Sequence, residues 1–347
     1  MVRQEDLPVA KKKNEPSVLF SKRMIALTLA IIILTLSALS ITFGVKWRRT
    51  QRELNGARAE LDAYELAAMV QRAEEEAERI RNAIPPERPK PASERSAPEI
   101  LADTNAILHA FGSVGEVPGL NCLEGFLAHY GEGARAFEVD LRLTSDGFAV
   151  LRHDWLGGVQ EGIDPLHIPT LDKFLATPIR GSYTPVSFRD LLLLMAQYPD
   201  ICIVTDTKLL DDEAVTEQFQ SMVSEAHKLG MSYLFDRMII QIYSPDHFAV
   251  VDGVYHFPHY IYTLYQDYFG ANAESFTNKV KFCEMNGIMG LTINEEVWKA
   301  AYMPIAKEHN TTVYVHTVND EALAKKLLSA DVGAVYTDSL DPNDLGG

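Results

Sequence analysis

Two carboxylates two residues apart, Glu138 and Asp140, followed past a short turn by His153 and Asp154, are the residues whose types and spacing most readily do chemistry in this chain. They lie in a stretch that reads as two strands, 136–143 and 148–152, joined by Ser145-Asp146-Gly147. Side chains alternate faces along a strand, so Glu138 and Asp140 project from the same side. Carboxylates that close repel each other unless a cation or a shared proton lies between them. Hard oxygen ligands, with an imidazole delivered at the end of the next strand, suit metal-assisted acid–base chemistry. Taken alone, the stretch reads equally as a hairpin with its acids in water and its histidine buried and satisfied.

The rest of the chain decides what such groups are mounted on. From about residue 99, short apolar runs alternate with amphipathic helical patterns. The strands are expected at 106–110, 136–141, 148–151, 201–205, 238–242, 259–264, 288–293, 312–317 and 334–336. Helices are expected at 187–197, 214–229 and 319–329, among others. This alternation predicts one α/β barrel of the TIM (β/α)8 type, with an open doubly wound sheet as the alternative that pattern alone leaves standing. In a parallel barrel the C-terminal strand ends meet around one mouth. Those ends carry His109, Glu138 with Asp140, His153 with Asp154, Asp206 with Lys208, Gln241, Asn294, His316 and Asp338. Charged groups are scarce at ordinary core strand ends, so their recurrence favours a site. No GxGxxG follows a strand and no Walker-type loop occurs, which removes support for a nucleotide cofactor.

Several motifs together resemble the glycerophosphodiester phosphodiesterase family. They are Leu108-His-Ala-Phe-Gly112, Asn121-Cys-Leu-Glu-Gly-Phe126, Phe137-Glu-Val-Asp-Leu141, Thr144-Ser-Asp-Gly147, His153-Asp154, Thr205-Asp-Thr-Lys208, Val315-His-Thr-Val-Asn319 and Tyr336-Thr-Asp338. The resemblance covers about residues 105–340 and is closest to a bacterial, membrane-anchored branch. It implies His109 and His153 as the general acid and base. It implies Glu138, Asp140 and Asp206 as ligands of one divalent ion, Ca²⁺ or Mg²⁺. Lys208, Asn121 and His316 are implied near the substrate. Four departures stand out. Ala110 replaces an arginine expected at the phosphate, Leu120 an acidic residue, Asp206 a glutamate, and His316 an aromatic. The activity implied is hydrolysis of a glycerophosphodiester or a related lipid or polyol phosphodiester. Its rivals are a decayed barrel that binds phosphorylated headgroups without cleaving them, and a scaffold of a surface complex.

The formal charge of −16, from 48 acidic against 32 basic residues, argues against a nucleic-acid partner, which needs a basic face. Three separated cysteines, Cys122, Cys202 and Cys283, offer neither a disulfide framework nor a zinc spacing. Residues 1–23 form a polar tail, and 24–45 run 22 residues without a charge. As a helix that run spans about 33 Å, enough to cross a bilayer. A single-pass anchor in the cell membrane is expected, with the C-terminal domain extracytoplasmic. Residues 46–84, rich in Ala, Glu, Leu and Arg, read as a solvated stalk helix. Leu54, Leu61 and Ala68 keep a seven-residue spacing that Glu75 breaks, so a spacer is favoured over a self-associating stalk. Five prolines within 84–98 mark an extended linker over 85–99, ahead of a barrel domain at 100–347.

Overall fold

Nine apolar runs form strands: β1 (Ala106–Leu108), β2 (Ala136–Leu143), β3 (Ala149–Leu151), β4 (Cys202–Thr207), β5 (Met238–Ile242), β6 (Tyr260–Thr263), β7 (Gly290–Asn294), β8 (Thr312–His316) and β9 (Val335–Thr337). The computed structural model describes residues 94–156, 163–164, 166–265 and 272–346, and N-terminal to them residues 51, 54–56, 58, 61 and 63–79. Strands neighbour one another in the order β1-β9-β8-β7-β6-β5-β4-β2, all parallel, and β2 pairs back onto β1 through Leu108 and Phe137. That last pairing closes an eight-stranded parallel barrel and excludes the open sheet. β3 folds back antiparallel on β2 across the turn ending at Gly147, whose φ of +81° suits a residue without a Cβ. The expected hairpin is therefore present.

Alternation along each strand separates two cores. Outward residues such as Leu108, Phe137, Val139, Leu141, Ile203 and Ile240 pack beneath the surrounding helices. Inward residues Ile107, Ala136, Cys202, Val204, Ile239, Ile261, Tyr314 and Tyr336 fill the barrel, with Ala97, Ile100 and Leu101 of the short helix Ala97–Leu101 packed among them. Followed upward, the inward series changes character: Ala136 is succeeded by Glu138 and Asp140, and Cys202 and Val204 by Asp206. An apolar lower barrel thus supports a charged mouth.

The helices begin where their caps dictate. Ser187 and Asp190 form a capping box at the start of helix Phe188–Gln197. Asp211, Ser244 and Asp320 accept backbone N–H groups at the starts of Asp212–Lys228, Pro245–Val254 and Glu321–Leu328.

Contacts divide the chain into two units, Met1–Leu66 and Ala67–Gly347. In the first, the described residues from 51 onward are helical and expose Leu54, Leu61 and Tyr64. In the second, residues 67–79 are helical but not solvated all round as their composition implies. Ala73 and Ala77 are buried in the barrel's outer core, and Glu76 accepts hydrogen bonds from Gln197 and Tyr198. Alanine gives this face no bulk, and the close approach that smallness allows is not visible in a charge-rich sequence. The expected membrane span at 24–45 lies outside the described residues, as does the linker up to residue 93. Among the described residues, no helix is long and apolar enough to cross a membrane.

Candidate active site

Register places the acids. Asp140 on β2 lies directly beside Asp206 on β4, and Glu138 stands one inward position below Asp140. The three carboxylates, all buried, each offer an oxygen within 4.8 Å of the others. Lys208 closes the group: its ammonium lies 2.8 Å from Asp140 Oδ1 and also pairs with Asp206. Burial disfavours the charge on Glu138, and repulsion from Asp140 adds to that, so its pKa is raised. Asp140 is also penalised by burial, yet the charge and hydrogen bond of Lys208, together with the charges of His109 and His153, outweigh it and lower the pKa. Lys208 is correspondingly raised by Asp140 and Asp206 against the cost of its own burial.

His109 enters from the next strand. β1 ends at Leu108, and the chain turns through Ala110 and Phe111 at φ +50° and +68°, a region unfavourable for residues with a Cβ. Phe111 is held there by burial against Phe126 and Phe137, at ring distances of 5.4 and 5.9 Å. The Ala110 N–H donates to Glu138 Oε2 at 2.8 Å. Gly112, at φ +83°, has no room for a Cβ against the His129 ring. This turn leaves His109 Nδ1 2.8 Å from Asp338 Oδ1 and Nε2 4.0 Å from Glu138 Oε2. Burial opposes a cation on His109, but the Asp338 hydrogen bond and the charges of Glu138 and Asp140 prevail and hold its pKa up at about 9.

One cavity of about 470 Å³ at the barrel mouth is lined by His109, Glu138, His153, Asp206, Lys208 and His316. Of the residues singled out from sequence, these six and Gln241 meet there. His153 is more open than the rest, its side chain 57% exposed and its Nδ1 3.0 Å from Asp154. His316 has a buried Nε2 with no hydrogen-bond partner among the described residues, and burial first, then the nearby His109 and Lys208 cations, push its pKa down to about 4. Asp140 sits just behind the lining. Asn121, expected among the substrate contacts, does not reach the cavity. Its amide nitrogen donates to Asp140 Oδ2 at 2.6 Å and its oxygen accepts the Asp140 N–H at 2.9 Å, so both ends are spent on orienting that carboxylate.

Three supports escaped the sequence. Asp338 stood among the strand ends, but its grip on His109 did not. Asn319 in turn donates to Asp338 Oδ2 at 2.6 Å and accepts the Asp338 N–H at 2.8 Å. The Tyr243 hydroxyl lies between Asp206 Oδ1 and the Thr207 carbonyl. A lone tyrosine after β5 carries no signal of this kind.

The donor set fits a hard divalent ion. Three buried carboxylates that repel one another, one with its pKa driven up by burial and by its acidic neighbours, are the oxygen ligands such an ion prefers. Glu138, Asp140 and Asp206 would hold it. The imidazoles lie at the same mouth, so the arrangement can pair a Lewis acid with proton transfer on an anionic substrate.

Comparison with known proteins agrees on the class. No curated protein matches the chain by sequence. Among solved structures, an Oleispira antarctica phosphodiesterase in complex with the product sn-glycerol-3-phosphate is 18% identical, with a TM-score of 0.58 over 72% of this chain and 98% of that one. A glycerophosphodiester phosphodiesterase from Parabacteroides distasonis is 17% identical, with a TM-score of 0.55 over 70% of this chain and 95% of that one. One from Agrobacterium tumefaciens is 16% identical, with a TM-score of 0.52 over 70% and 98%. At such identities the likeness is one of fold. The profile of the glycerophosphoryl diester phosphodiesterase family matches residues 112–342, which takes in every residue discussed above from Gly112 to Asp338 and begins just past His109. With two thirds of its length matched by that profile, the chain belongs to the glycerophosphoryl diester phosphodiesterase family and is a phosphoric diester hydrolase.

Proposed function

We propose that the chain hydrolyses glycerophosphodiesters with a divalent ion, Ca²⁺ or Mg²⁺, held by Glu138, Asp140 and Asp206, and with His109 and His153 moving the protons. The observation that carries this reading is the cluster of three buried carboxylates, two of which, Glu138 and Asp206, line one cavity together with Lys208, His109 and His153. When bound, the ion polarises the phosphoryl group and offsets charge that builds in the transition state. Lys208 adds positive charge on the same side. His109 has its Nδ1 committed to Asp338, so Nε2 is the atom that exchanges a proton. One imidazole takes a proton from the attacking hydroxyl, and the other returns one to the leaving alcohol oxygen. The product complex of the Oleispira relative supports glycerol phosphate as the portion retained.

The test is turnover of a purified glycerophosphodiester by the full chain. Activity is expected to vanish after chelation and to return with Ca²⁺ or Mg²⁺. His109→Ala and His153→Ala should each lower kcat by at least about a hundredfold in folded protein. Undiminished rates after chelation, or near-normal rates in both variants, refute the reading.

The uncharged run at 24–45 supports a further proposal: a single-pass anchor that carries the barrel on the extracytoplasmic side. Resistance to alkaline extraction and digestion of the barrel by external protease are the expected results. Recovery in the soluble fraction sinks it.

A further inference from the structure

An anionic phosphodiester needs cationic partners, and the arginine expected next to the catalytic histidine is Ala110. Ala110 is fully buried and offers only its N–H, which is already given to Glu138. The cations that do line the cavity are not equally available. Lys208 is shared between Asp140 and Asp206. His109 is bound through Nδ1 to Asp338. Arg142 is different. It follows Glu138 and Asp140 at the same two-residue spacing on β2, so it continues the inward series up to the rim, where it lines the cavity with both histidines. Its Nε donates to the His153 carbonyl at 2.9 Å, which fixes the plane of the guanidinium. Its two terminal amino groups have no hydrogen bond or ion pair among the described residues. Among the described residues no carboxylate oxygen lies within ion-pair distance of it, so at the rim of the cavity this guanidinium keeps its terminal donors for a ligand.

We propose that Arg142 is the phosphate-binding guanidinium of this site, taking the non-bridging oxygens of the substrate, and of the phosphate monoester product, in place of an arginine at position 110. A planar fork with one arm anchored on the His153 backbone presents its free donors in the geometry that phosphate oxygens accept. Because the same side chain touches the His153 carbonyl, phosphate capture and the position of that imidazole are set by one residue. The proposal rests on the phosphodiesterase reading and extends it to the residue that recognises the anion.

The experiment compares full-length wild type with Arg142→Gln and Arg142→Lys in the presence of Ca²⁺ or Mg²⁺. It measures steady-state kinetics on a glycerophosphodiester, calorimetric binding of sn-glycerol 3-phosphate, and binding of the ion alone. Arg142→Gln is expected to raise KM and weaken glycerol phosphate binding by about tenfold or more. Arg142→Lys, which keeps the charge without the fork, should fall between. Affinity for the ion and the melting temperature should not move, which separates phosphate binding from a structural role. Should Arg142→Gln melt early, the lysine variant carries the comparison. An unchanged KM together with unchanged glycerol phosphate binding overturns the proposal, as does a loss of ion affinity that tracks the loss of phosphate binding. If wild type binds glycerol phosphate through Arg142 but turns over no diester, the phosphodiesterase reading fails while the arginine assignment stands. If wild type binds no glycerol phosphate, both fall.

Discussion

His109, proposed above to move a proton, illustrates how much of such a group lies outside its own side chain. Its ring is oriented by Asp338, which is held by both ends of the Asn319 amide and spans 229 positions of sequence to reach it. A carboxylate that fixes one ring nitrogen selects the tautomer and stabilises the cation. Asp338→Asn keeps the shape and removes the charge. It is expected to lower kcat by about tenfold or more with KM and thermal stability near wild type, and to shift the acid and base limbs of the pH–rate profile. An unaltered kcat and profile would show Asp338 to be structural. Asn121 makes the same point for the acids, since a residue expected at the substrate is spent on Asp140.

At the scale of elements, β2 carries more of the site than any other strand. It delivers Glu138, Asp140 and Arg142 from one face, and β3 folds back on it to bring His153 to the same rim. The helical residues 67–79 are a second lesson. Met69 and Val70 pack near Val114 and Leu120, and Leu120 immediately precedes Asn121. Ala73 is buried against the barrel, so a charge there has nowhere to go. Ala73→Glu is expected to cost about 2 kcal/mol or more, read as a lower melting temperature, whereas Glu74→Ala at the exposed neighbouring position would be nearly silent. A melting curve that Ala73→Glu leaves unchanged would mean that this helix contributes nothing to the domain.

For the whole molecule, acid is expected to loosen the fold through buried neutral histidines. His247 stacks on Tyr243 and accepts the Tyr243 N–H at Nδ1 from 3.2 Å, which an imidazolium cannot do. Burial pushes its pKa down from 6.5 to about 4. Between those values the unfolded chain takes up a proton that the folded chain refuses. Stability therefore falls as pH drops through that window, by about 1.4 kcal/mol per pH unit for one such group. His316, lowered for the same reason, acts with the same sign. His109 acts oppositely, since its raised pKa gives stability below 6.5 that is lost as pH climbs through about 9. Denaturant unfolding between pH 7 and 4 should show a shallower loss in His247→Asn by one proton's worth. Parallel curves would rule out His247 as a source of the slope.

How much of this was legible beforehand follows from the range of each interaction. The strand at 238–242 has its expected bounds, because apolar runs bounded by turn residues are local signals, whereas the strand from 136 is expected to end at 143 in the hairpin and at 141 in the strand series and ends at 143. The period of two along a strand is equally local, so the chain by itself determined that Glu138 and Asp140 share a face and that Asp206 and Lys208 do too. It also determined a polar group at nearly every strand end. Closure of the barrel was not local. It depends on β1 meeting β2, and only that pairing decided between a ring and an open sheet. The same register decided that Asp140 faces Asp206, that Asn121 lies behind rather than in the cavity, that Asp338 and Tyr243 serve His109 and Asp206, and that Arg142 reaches the rim of the cavity. Each of those contacts joins residues from different strands or loops, and hydrogen bonds of a few ångströms exist only once the whole barrel has set the distances.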